Sequence, residues 1–121
     1  MLELVANNPE PNNEQFAGEH IQQYAPAFAA DVIRFIIRQS DYEELTASCK
    51  KQFNDWWQLA IPGGTPENSY ESVYWYLLYL IDSRREDELR GNRFVKQRIQ
   101  ECACYLINKG KIPNFAHGIR P

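Results

Sequence analysis

An all-α fold of about five helices, four long ones in a compact bundle, is predicted by three features of these 121 residues. Apolar residues recur at helical spacing through most of the chain. Helix-start and helix-stop signals fall between the periodic stretches. No strand-like alternation and no internal repeat is present. The length suits a single domain with one core, 1–121. It divides into an N-terminal arm (1–12), a bundle (13–109) and an irregular tail (110–121).

The stretch "NPEPNN" breaks regular structure and detaches Leu2, Leu4 and Val5 from the rest of the chain. Asn12 or Asn13 is placed to cap a first helix with Phe16, Ile21 and Tyr24 roughly on one side. Pro26 should end or kink that helix, because it has no N–H and disfavours helix at Ala25. It also suits the first turn of a second helix, about Ala27 to Gln39. Phe28, Ala29, Val32, Ile33, Phe35, Ile36 and Ile37 cover most of that helix, leaving Asp31, Arg34 and Arg38 as a narrow polar strip. A helix this apolar is largely buried.

Ser40 followed by Glu43 has the pattern of a capping box and opens a third helix running to about Leu59. Tyr42, Leu45, Cys49, Phe53, Trp56 and Ala60 share one face of it, and Glu43, Lys50, Lys51, Asn54 and Gln58 the other. "IPGGTPEN" is the clear central loop. Thr65 and Pro66 read as the cap and first residue of a fourth helix to about Ser83. "SRREDELRGN" is a short polar passage before a fifth helix from Leu89 or Asn92 to Asn108, ended by Gly110. Ile112 and Phe115 are expected to pin the tail to the bundle.

The fourth helix raises the main functional question. At about 100° per residue, Tyr70, Val73, Tyr74, Leu77, Leu80 and Ile81 gather on one side. Trp75, Tyr76 and Tyr79 gather roughly opposite. A central helix covered all round would explain both sides. So would a partner surface, because tyrosine and tryptophan combine apolar area with a polar tip. The fifth helix has a core stripe of Val95, Ile99, Cys102, Ala103 and Leu106. Its other side carries Phe94, Arg98, Glu101 and Tyr105. The predicted partner-binding set is therefore Trp75, Tyr76, Tyr79, Phe94, Arg98 and Tyr105, with Arg93 as a further source of directional bonds.

Composition narrows the classes of function. The chain is 44% hydrophobic and 24% charged, with a net charge of -3, so it is neither a strongly basic nucleic-acid binder nor an acidic tail. The uncharged run Val73–Ile81 stops at Asp82, Arg84 and Arg85, well short of the roughly 20 apolar residues of a membrane span. "MLELVANNPEP" lacks the basic start and apolar run of a secretory signal, so a cytoplasmic location is expected. Cys49, Cys102 and Cys104 are odd in number and irregular in spacing, which reads as reduced thiols packed as small hydrophobes.

No pattern of catalytic residues emerges, and the chain is not expected to be an enzyme or to hold a metal or cofactor. His20 reads as a packing residue beside Phe16 and Tyr24, and His117 lies in the tail. "PGGTP" lacks the lysine and spacing of a phosphate loop. The expected function is protein–protein binding by a small helical adaptor, regulator or inhibitor. An immunity or antitoxin type is one subclass, and a homodimer seam is another use of the same surface. The alternative is nucleic-acid binding. From Leu89 onward Glu101 is the only acid, against Arg90, Arg93, Lys96, Arg98, Lys109, Lys111 and Arg120. Arg90, Arg93, Lys96, Lys109 and Lys111 are the candidate phosphate contacts.

Overall fold

A computed structural model describes residues 9–108 and 110–121, with side chains from Ala17 onward. The helices are α1 (Pro9–Ile36), α2 (Tyr42–Gln58), α3 (Ser69–Asp82), the short α4 (Glu86–Gly91) and α5 (Arg93–Leu106). Among the described residues there is no strand, only one antiparallel bridge between Gly64 and Arg120. The fold is an all-α bundle in which α1 packs against α5, α2 and α3, and α5 also packs on α3 and α4. No helix among the described residues is long and apolar enough to cross a membrane. The arm residues 1–8 and Lys109 lie outside the described residues.

The first half departs from the expected partition. One helix of 28 residues replaces two, with Pro26 inside it. Asn12 and Asn13 therefore lie within a helix that has already begun at Pro9. The buried stripe Ala17, Ile21, Ala25, Phe28, Val32 and Phe35 runs past Pro26 without a change of phase. The carbonyl that Pro26 leaves without an N–H belongs to Gln22, an exposed residue where water can replace the lost bond. Burying both halves of the helix on one core outweighs the missing hydrogen bond. Five helices are still found among the described residues, because "EDELRG" forms α4 where only a polar passage was expected.

Boundaries shift for local reasons. Asp41, not Ser40, caps α2, and Glu44 closes the capping box. Asn68 caps α3 by accepting from the Glu71 amide at 2.9 Å, so the helix begins after Pro66. Asn92 caps α5, accepting from the amides of Phe94 and Val95. That helix ends at Leu106, and Asn108, at a φ of 63°, reverses the chain before Gly110 is reached.

The expected core stripes of α2 and α5 are buried, apart from half-buried Tyr42 and exposed Ala60. Ile37 is 54% exposed because the chain turns after Ile36, with Arg38 at a φ of 64°. Arg90 completes this turn. It donates to the carbonyls of Phe35 and Ser40 at 3.1 and 3.2 Å, and its guanidinium lies 3.8 Å from the Phe35 ring centre. Cys49, Cys102 and Cys104 are free. Burial pushes the thiols of Cys49 and Cys102 up to about 12, which keeps them protonated and unreactive.

The tail is irregular, as expected, but held differently. Phe115 packs on the core, whereas Ile112 is 51% exposed; Pro113, Ala116 and Arg120 are the buried residues. The Gly118 amide donates to the Ser72 carbonyl at 3.1 Å, and the Arg120 amide to Gly64 at 3.0 Å. The tail thus lies across α3. A Cβ at Gly118 would stand 2.3 Å from the Tyr76 nitrogen and 2.7 Å from the Trp75 carbonyl carbon. Those are backbone atoms of a buried helix and cannot yield. Gly118→Ala is expected to lower stability by about 1–3 kcal/mol, read as a lower urea midpoint. An unchanged midpoint would mean that the tail does not lie on α3.

Candidate functional site

The sequence-predicted partner residues do not form one surface. Trp75 is fully buried, and its indole N–H donates to Glu71 Oε2 at 3.0 Å. It is a core residue, because α2 and the tail cover the side of α3 that faces away from Val73 and Leu77. Tyr76 is half-buried under the tail, where its hydroxyl accepts from Arg98 at 2.9 Å and its ring meets Phe115 edge-on at 5.6 Å. The Arg98 guanidinium lies 4.8 Å from the Phe115 ring centre. Tyr105 is half-buried against Tyr70, with ring centres 5.9 Å apart. Of the six, Tyr79 and Phe94 are the apolar residues left exposed, at 37% and 69%. They lie on different helices, Tyr79 on α3 and Phe94 on α5.

Tyr79 belongs to a groove between α2 and α3 of about 280 Å³, lined also by Lys50, Phe53, Asn54, Trp57, Asp82 and Pro121. Phe53 is its floor, only 6% exposed. Trp57 stacks on Phe53 with ring centres 5.6 Å apart and planes 25° apart, and Tyr79 tilts against the same ring at 5.6 Å. Trp57 is 58% exposed, and sequence reasoning passed over it. The signal was the pair Trp56–Trp57. Adjacent helical residues point about 100° apart, so if Trp56 faces the core, Trp57 cannot. Lys50 and Asp82 bring one charge of each sign to the rim, and neither forms an ion pair among the described residues. Burial, then the Asp82 carboxylate, raises the Tyr79 phenol pKa, so the hydroxyl stays a donor at neutral pH.

The candidate phosphate contacts divide. Arg90 is spent on the end of α1 and on Glu86. Arg93, Lys96 and Lys111 line one shallow groove of about 600 Å³ with Gln97, Gln100 and Glu101. Phe94 adjoins it, with the Arg93 guanidinium 5.7 Å from its ring centre. A third groove, about 620 Å³ between α1 and the start of α3, is lined by none of the predicted partner or phosphate contacts.

A buried polar cluster lies beneath the tail. Glu71, 2% exposed, receives the Arg120 guanidinium on both oxygens, the Trp75 indole and the Glu67 amide. Burial alone would raise its pKa; the hydrogen bonds from Arg120, Glu67 and Trp75 outweigh that and hold it below the usual range. The Arg120 bonds tie the tail to α3, and those from Trp75 and Glu67 fix the Glu71 carboxylate within α3 and its approach, so the cluster is structural. His20 packs between Tyr24 and Trp56 at 4.7 and 5.9 Å, the packing role expected of it. Its Nε2 is buried without a hydrogen-bond partner among the described residues, and burial lowers its pKa despite the opposing pull of Asp55. His117 contacts the Asn114 carbonyl at 2.9 Å in the exposed tail.

The chain matches no protein-family model, no curated protein and no solved structure.

Proposed function

We propose that this protein works by binding another protein, as a small helical adaptor, regulator or inhibitor, through the aromatic groove between α2 and α3. One observation carries the reading: Trp57 and Tyr79 stand exposed on either side of a buried phenylalanine floor. Aromatic rings with polar tips, set around a concave apolar floor, are the residue type and geometry that dominate binding energy at interfaces. Folding alone does not account for them, since Trp56 and Trp75 already fill the core beneath. An immunity or antitoxin protein is one form such an inhibitor could take, and a second copy of the chain is another occupant of the groove.

Tagged protein from lysate of the native source, with and without nuclease, should retain a stoichiometric protein band in both samples. Trp57→Ala or Tyr79→Ala should lose that band, each weakening binding by about 2 kcal/mol or more, with an unchanged helical circular dichroism spectrum. Equal recovery by both folded variants would remove the groove from the binding surface.

A further inference from the structure

We infer that the outer face of α5 is a second binding surface, separate from the aromatic groove, and that its occupant is an acidic segment of a partner protein. The observation is an imbalance of charge pairing. Arg34, Lys51, Arg84, Arg85, Arg90 and Arg120 each hold a carboxylate. Arg93, Lys96, Arg98 and Lys111 form no ion pair among the described residues. Arg38 and Lys50 are also unpaired among the described residues but stand apart from each other, on the turn after α1 and on α2, whereas these four gather on one helix and the start of the tail, in a molecule whose net charge is -3.

Geometry brings them into use together. Arg93, Lys96 and Lys111 line one groove, whose single carboxylate, Glu101, already accepts a hydrogen bond from Gln97 at 2.9 Å. Beside it stands Phe94, the most exposed large apolar side chain of the described residues. Cations around one aromatic anchor match a short acidic segment with an apolar residue among its carboxylates. A single-stranded nucleic acid fits less well. It needs successive stacking rings along a continuous basic track, and here one ring is exposed and the rest of the molecule is acidic. The two grooves share no lining residue, so an adaptor could hold one partner at each.

The test uses fluorescence anisotropy with a labelled, end-capped peptide alternating glutamate and leucine, and with an oligothymidylate of equal charge. The peptide is expected to bind at low salt and to weaken as salt rises. Arg93→Glu combined with Lys96→Glu should weaken it about tenfold, and Phe94→Ala should weaken it too. Trp57→Ala should leave it unchanged, so this proposal and the groove reading can fail separately. If the double variant loses its helical spectrum, Lys111→Glu tests the same charge at an exposed tail position. Peptide binding that ignores these substitutions, or no binding at low salt, would overturn the inference. Tighter binding of the oligothymidylate would also overturn it, and would assign the face to nucleic acid.

Discussion

Replacing Arg120 by alanine is expected to lower the unfolding free energy by about 3–5 kcal/mol, the range for a buried ion pair that loses one partner. Both members are buried, Glu71 at 2% and Arg120 at 6% exposure. Arg120 Nη2 donates to Glu71 Oε1 at 3.0 Å, and Nε to Oε2. Removing the guanidinium strands a carboxylate in the core with the Trp75 indole and the Glu67 amide. Replacing both residues by methionine should recover much of the loss, because no charge is then left unpaired. The pH dependence has a definite sign. The Glu71 pKa is depressed in the fold, so the unfolded chain takes up its proton first as pH falls. The contribution is complete above the ordinary carboxylate range and is lost as pH falls through the depressed folded value. In Arg120→Ala that part of the acid dependence should shrink. Urea titrations of wild type, Arg120→Ala and the double methionine variant across acid and neutral pH measure all of this. Arg120→Ala within about 1 kcal/mol of wild type would show that the tail is dispensable to the fold.

That ion pair was not legible in the sequence, and the reason is physical. Glu71 and Arg120 lie 49 residues apart, and neither belongs to a spacing pattern. Arg120 reads as one more cation in a basic tail, and Glu71 belongs to neither aromatic side of the fourth helix. Only tertiary closure of the tail over α3 joins them. The stripes of α2 and α5 were legible because each is a local pattern repeated over several turns. Pro26 misled because a local rule about one hydrogen bond was set against a stripe running from Ala17 to Phe35, and the stripe prevailed. At the candidate sites, the exposed position of Phe94 follows from α5 periodicity alone. The burial of Trp75 and the covering of Tyr76 depend on the tail, which has no period to read.

Trp75→Ala is expected to cost about 3–5 kcal/mol of stability, although the sequence marks Trp75 as a partner anchor. The indole is fully buried and hydrogen-bonded to Glu71. It meets Trp56 edge-on at 4.8 Å, Tyr74 at 4.7 Å and Phe53 at 6.3 Å. Truncation opens a cavity at the junction of α2, α3 and the tail, and takes a donor from a buried carboxylate. Trp57→Ala, one turn from Phe53 on the exposed side of α2, should change stability by less than about 1 kcal/mol. Thermal melts of the two variants separate core from surface, and binding assays then apply to Trp57 alone. A Trp75→Ala protein as stable as wild type, yet unable to hold a partner, would return Trp75 to the binding surface. The floor of the groove would then have to open on binding. The Phe53 ring, in contact with Trp57, Trp75 and Tyr79 at once, is the residue through which such an opening would have to pass.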